Sequence, residues 1–212
     1  MKDVKFIYFD LGYTLVDETG AWQARYAKQY ALTTATSATK ISPQALFENM
    51  IIASEHRAPS PYSEALKILG VGHNVPYCPD GEKVYPDAAD VLRRLKNHYR
   101  LGILANQIDG INERLQQFEI AEFFDVIISS FDYKLAKPDL RLFEIAEQKA
   151  QCNPSQIAMI GDRLDNDIVP AKAMGWKTIW IKQGFGAYQI PVDNTDTPDF
   201  VVNSLSEIPS IF

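Results

Sequence analysis

Six short, mostly apolar runs punctuate the chain: Val4 to Phe9, Leu101 to Ala105, Asp125 to Ser129, Ile157 to Ile160, Thr178 to Ile181 and Phe200 to Val202. They are rich in β-branched and aromatic residues and end at turn-forming or polar ones, so they predict buried strands. Between most of them the hydrophobic period changes to 3.6. Pro86-Asp87 opens a helix that puts Ala88, Val91, Leu92 and Leu95 on one face, and similar patterns run near 110–118, 139–150 and 166–174. Gly175 falls where a helix C-terminal glycine is expected, and Thr178 opens the next strand. Strands alternating with helices predict an α/β fold, a Rossmann-like doubly wound parallel sheet.

The alternation fails between residues 18 and 80, where helical patterns follow one another without a convincing strand. Trp22, Tyr26 and Tyr30 recur every four residues, a stripe expected to form the core of this segment. Thr33 to Thr39 is a poor helix former. Ser42-Pro43 then supplies an N-cap and a first-turn proline for a second helix reaching about Glu55. Pro59-Ser60-Pro61 punctuates, a short third helix runs from Ser63 to Leu69 until Gly70 stops it, and Val75 to Gly81 reads as a linker. The predicted organisation is a core of residues 1–17 and 81–212 carrying an inserted all-helical domain, residues 18–80.

The 212 residues are 46% hydrophobic and 23% charged, ordinary values for a globular protein. A net charge of −6 without any Lys/Arg-rich run makes nucleic acid and anionic membranes poor partners. No apolar stretch is long enough to span a bilayer, and the first apolar run is too short for a signal peptide, so a cytoplasmic location is expected. Cys78 and Cys152 lack metal or disulfide spacing, and His56, His73 and His98 form no metal-binding pair.

Parallel α/β sheets bring the carboxyl ends of their strands to one edge, where ligands bind. That edge gathers Asp10 after the first strand, Asn106 after the second, Lys137 a few residues past the third, and Asp162 after the fourth, with Asp167 five residues later. Gly184-Phe185-Gly186 does not complete a dinucleotide-binding G-x-G-x-x-G, and the spacing of Asp162, Asp165 and Asp167 does not fit an EF-hand loop.

Four segments in this order resemble the haloacid dehalogenase superfamily of aspartate-nucleophile hydrolases. Phe9-Asp10-Leu11-Gly12-Tyr13-Thr14-Leu15 is similar to its nucleophile loop, D-x-D-x-T. Leu101 to Asn106 is similar to its phosphate-binding strand, Lys137-Pro138-Asp139 to its lysine segment, and Gly161-Asp162 through Asp167 to its metal segment. The resemblance implies Asp10 as nucleophile and Lys137 as catalytic cation, with Thr14, Asn106 and Gly12 around the phosphoryl group. It further implies Mg²⁺ held by Asp10, the backbone carbonyl of Gly12, Asp162 and Asp167, and it makes the inserted helices a cap. Cations are needed because a carboxylate cannot approach a phosphoryl group until the negative charge of both is offset.

Two positions depart from the pattern: Gly12 stands where the family has its acid/base aspartate, and Ala105 where it has a Ser or Thr. The first reading is a Mg²⁺-dependent phosphatase for a small phosphorylated metabolite, with Asp17, Glu18 or His56 as candidates to replace the missing acid. The alternative is a degenerate member that binds a phosphorylated ligand or a protein partner with little turnover. Dehalogenation, which needs no metal, fits the intact metal segment poorly. Arg163 either braces the nucleophile loop or binds substrate.

Overall fold

The computed structural model describes residues 1–36 and 41–212. In chain order the first half comprises β1 (Phe6–Phe9), β2 (Val16–Asp17), α1 (Thr19–Thr36), α2 (Pro43–Glu55), α3 (Pro61–Ile68), β3 (Lys83–Val84), α4 (Ala88–Lys96) and β4 (Arg100–Ala105). The second half comprises α5 (Ile111–Gln117), β5 (Val126–Ser129), α6 (Ser130–Tyr133), α7 (Leu140–Ala150), β6 (Ile157–Gly161), α8 (Val169–Ala173), β7 (Lys177–Ile181) and β8 (Phe200–Val202). All six predicted strands form, and they pair in parallel in the order β5-β4-β1-β6-β7-β8. Strand order reverses on either side of β1, so a crevice opens beyond its carboxyl end.

Both faces of the sheet are covered, as the continuous apolar runs require. Ile7 and Phe9 pack to one side with Val91, Leu92 and Leu95 of α4 and Leu115 of α5. Phe6 and Tyr8, pointing the opposite way along the same strand, pack with Phe143 and Ala146 of α7 and with Trp176. Gly102 on the neighbouring strand leaves room for those two rings, because a Cβ there would lie 2.6 Å from Tyr8 Cε1 and 2.9 Å from Phe6 Cε1. The Tyr8 hydroxyl donates to the Ala146 carbonyl at 2.7 Å, tying α7 to the sheet. The predicted helix near 166–174 begins as a wide π turn over Leu164–Ile168 and continues as α8, whose Pro170 has no N–H to donate back into that turn.

The inserted segment is helical, as expected. Ser42 caps α2 by accepting from Ala45 N at 3.0 Å, and Ser60 caps α3, so the Pro59-Ser60-Pro61 punctuation is itself the start of that helix. The Thr33 to Thr39 weakness falls partly outside the described residues, and α1 runs through Thr36. The aromatic stripe is only partly core. Tyr26 is buried with Leu46, Met50 and Tyr62, whereas Tyr30 is 41% exposed. A four-residue step overshoots the helical turn by about 40°, so Tyr30 rotates off the face that Tyr26 buries. Sequence reading missed the ribbon of β2 and β3, which pairs Val16 with Val84 and Asp17 with Lys83 where the chain leaves and re-enters the core. Gly20 and Gly81 touch just beyond it, since a Cβ on Gly20 would stand 2.6 Å from the Gly81 carbonyl oxygen. Among the described residues, no helix is long and apolar enough to cross a membrane.

Candidate active site

Asp10 sits at the carboxyl end of β1, and its N–H donates to Ile160 O at 2.8 Å, extending the ladder toward β6 by one residue. Beyond it the chain turns back sharply: Leu11 O accepts the N–H groups of Thr14, Leu15 and Val16 at 3.3, 2.9 and 3.0 Å. Tyr13 takes the left-handed conformation (φ 51°) inside this turn and sets its ring edge-on to Phe185.

Lys137 reaches the same point from the loop after α6. Asn106 holds that loop with both ends of its amide: Oδ1 accepts Lys137 N–H at 2.7 Å and Nδ2 donates to Lys137 O at 2.9 Å. The buried ammonium donates to Asp10 Oδ1 at 2.6 Å and to Asp167 Oδ1 at 2.5 Å. Asp167 also accepts the N–H of Arg163 at 3.0 Å, and a Cβ on Gly161 would overlap its carboxyl. Asp162 completes the group from the end of β6, and carboxylate oxygens of Asp10, Asp162 and Asp167 lie within 4.8 Å of one another.

This cluster holds three acids and one lysine, all buried. Burial raises the Asp162 carboxyl well above the usual range, and the charges of Asp10 and Asp167 push it the same way. Burial also lifts Asp167 to about 6, against the pull of Lys137. Burial alone would lower Lys137, but the two carboxylates it touches outweigh that and raise it. Among the described residues, the Asp162 side chain has neither a hydrogen bond nor an ion pair. Excess negative charge on hard oxygens, one carboxylate of them unpartnered, fits a divalent cation such as Mg²⁺.

The four groups line a cavity of about 350 Å³ whose far wall comes from the inserted helices through Trp22, Arg25, Met50 and Tyr62. Arg25 stands 3.6 Å above the Tyr62 ring, and its Nε donates to Val75 O at 2.8 Å. No sequence signal had singled it out. Arg163 bonds Asp165 and donates to Ala58 O at 3.2 Å, bridging the two halves of the cavity wall. More ties join the same halves: Ser54 Oγ donates to Phe185 O at 2.8 Å, and Arg57 Nη2 donates to Ile190 O at 2.7 Å and pairs with Asp196.

Several expectations need correction. Thr14 is fully buried behind the loop, its hydroxyl unbonded, and it does not line the cavity. Asn106 does line it, but its amide is committed to the Lys137 backbone. Asp17 caps α1 by accepting Thr19 N–H at 2.9 Å, and His56 is an exposed C-cap of α2 away from the cavity. Glu18 alone of the three replacement candidates lines the cavity. Its Oε2 accepts Trp22 Nε1–H at 2.9 Å, and burial pushes the carboxyl up to about 7.

A doubly wound sheet with a carboxylate and a lysine at its switch point, facing a cavity walled in part by the inserted helices, places the chain among α/β enzymes that bind their ligand at the carboxyl edge of the sheet. The chain belongs to the haloacid dehalogenase-like hydrolases, whose family profile matches residues 7–181. It is 28% identical to glyceraldehyde 3-phosphate phosphatase of Pyrococcus furiosus over 98% of this chain and 92% of that protein. The Pyrococcus abyssi protein of the same name is 32% identical over 85% of this chain and 82% of its own length. A crystal structure of a HAD phosphatase from Thermococcus onnurineus superposes with a TM-score of 0.68 at 23% identity, covering 98% and 97% of the two chains.

Proposed function

We propose that the protein is a Mg²⁺-dependent phosphatase of a small phosphorylated metabolite, working through an aspartyl-phosphate on Asp10. The observation that carries this reading is the contact of Lys137 with both Asp10 and Asp167 in the wall of the cavity. Asp10 is the nucleophile: it lines the cavity, and its Oδ1 accepts from the ammonium. Lys137 offsets charge on the nucleophile and on the equatorial oxygens of the phosphoryl group. Asp10 and Asp162 would hold Mg²⁺, with Asp167 orienting Lys137 and supporting the site. When bound, the ion supplies the charge that lets carboxylate and phosphoryl group meet.

Residues 18–80 act as the cap, and the size of the cavity beneath them supports a substrate of a few carbons over a polymer. The names of the Pyrococcus relatives support a triose phosphate as the first compound to try. The test is hydrolysis of p-nitrophenyl phosphate and of a panel including glyceraldehyde 3-phosphate, with Mg²⁺, with chelator, and with Asp10→Asn in parallel. Metal-dependent turnover that vanishes in Asp10→Asn is expected. Full activity in Asp10→Asn ends the nucleophile assignment, and phosphate binding without turnover points instead to a ligand-binding family member.

A further inference from the structure

We propose that Glu18 performs the proton transfers of this reaction, its carboxyl occupying the space left by the absent side chain at residue 12. The inference rests on the phosphatase reading above. A Cβ built on Gly12 would overlap Glu18 Oε1 and lie 2.7 Å from Glu18 Cδ, so residue 12 cannot carry a side chain while Glu18 stays where it is. The backbone explains how a residue six positions later gets there. Leu11 O gathers three successive N–H groups, Gly12 bridges to Val16, and the returning chain enters α1 beside the residue it left.

The carboxyl is held by one oxygen and open at the other. Oε2 accepts the indole N–H of Trp22, while Oε1, the atom nearest Gly12, meets no donor among the described residues. Glu18 shares the cavity wall with Asp10, Lys137 and Asp162, which sets its carboxyl beside the space a phosphoryl ester would fill. Of the other groups on that wall, Asp167 binds Lys137, Tyr62 donates to Gln29 Oε1 at 2.7 Å, and Asp162 is assigned above to the metal.

An Asp10 oxygen bonds to phosphorus as the bond from phosphorus to the leaving oxygen breaks, and that oxygen takes the proton from Glu18. Glu18, now a carboxylate, accepts a proton from a water whose oxygen attacks the phospho-aspartate. The bond from phosphorus to Asp10 breaks, releasing inorganic phosphate and restoring both side chains. Because Glu18 lies past the β2 strand, on the cap side of the ribbon, the acid is delivered by the cap.

The experiment compares wild type with Glu18→Gln, which keeps an oxygen for the Trp22 bond, using rapid-quench assays of p-nitrophenyl phosphate and glycerol phosphate with Mg²⁺. p-Nitrophenolate leaves without a proton. The first-turnover burst should therefore survive within a few-fold, while steady-state turnover falls about 10² to 10⁴-fold and acid-stable phosphoprotein accumulates. With glycerol phosphate, the first turnover should fall as well. The double variant Gly12→Asp/Glu18→Ala, which clears the overlap, should recover part of the steady-state rate lost in Glu18→Ala. Unchanged steady-state turnover in Glu18→Gln, or equal loss of burst and steady state on both substrates, would overturn the assignment while leaving the phosphatase reading intact. Absence of any Asp10-dependent burst in wild type overturns both.

Discussion

Replacing Lys137 by methionine keeps an unbranched side chain, one atom shorter, and deletes its charge. In the native site the ammonium lies 2.6 Å from Asp10 Oδ1 and 2.5 Å from Asp167 Oδ1, with only 2% of the lysine side chain exposed. The variant leaves three carboxylates within 4.8 Å of one another and no cation between them. At an effective dielectric of about 20, each ionised pair at that distance repels by about 3 to 4 kcal/mol, so the three cannot all stay charged. Deleting one partner of a buried pair typically costs about 3 to 5 kcal/mol, a large share of a stability of about 5 to 15 kcal/mol. With a urea dependence of about 2 kcal/mol per molar, the unfolding midpoint in chelator should drop by about 1.5 to 2.5 M. Mg²⁺ should recover more stability in the variant than in wild type, because the ion answers a larger excess of negative charge. Turnover should fall about 10² to 10³-fold. A variant within about 0.5 kcal/mol of wild type in chelator, or one whose gain from Mg²⁺ is no larger, refutes the electrostatic account of the site.

Gly102→Ala drives a methyl group into the Tyr8 and Phe6 rings and should cost about 1 to 3 kcal/mol, read as a thermal midpoint lower by about 2 to 12 °C. An unchanged midpoint would show that the rings repack freely. Arg57→Ala removes the bonds to Ile190 O and Asp196, leaving a buried carboxylate unpaired; about 1 to 3 kcal/mol is expected, with faster proteolysis of residues 185–196 as the sensitive readout. The same pair predicts a pH dependence. Burial raises the Asp196 carboxyl, but the N–H groups of Val192 and Asp193 and the Arg57 guanidinium more than offset it, leaving it below the usual range. Its stabilisation is therefore complete above the unfolded value near 3.9 and is lost as pH falls through the lower folded one. The difference in thermal midpoint between wild type and Arg57→Ala should accordingly shrink as pH is taken from 5 toward 2; a constant gap would place the stabilisation elsewhere.

The strands and their carboxyl-edge residues were legible because consecutive apolar residues followed by a lone acid or amide leave few structural alternatives. Asp10, Lys137, Asp162 and Asp167 meet because parallel topology sends every strand end to one side. What escaped were relations carried by single side chains across long separations. Nothing local distinguishes the Asn106 that clamps Lys137 from one aimed at ligand, since both sit just past a strand. Thr14 reads as a site residue from its place in the loop, but the turn at Leu11 rotates it inward. The gap at Gly12 was visible in the sequence, whereas its filling by Glu18 depends on a hairpin return set by two residue pairs too short to show a pattern.

That ribbon of Val16–Asp17 against Lys83–Val84 also bears on how the molecule is assembled. The two points at which the helical insertion joins the rest of the chain, Asp17 and Lys83, are the two ends of one rung of an antiparallel ladder, with no gap left for a linker to span. In topological terms, everything between Asp17 and Lys83 is an enlarged hairpin turn. An Asn-Gly pair joining those two residues would complete an ordinary tight turn and leave the sheet's strand order untouched. The same geometry lets a different insertion be spliced at that rung without lengthening any loop of the core. The ribbon is thus a modular socket, at which the helical insertion, Glu18 with it, can be exchanged while the sheet and the residues at its carboxyl edge are kept.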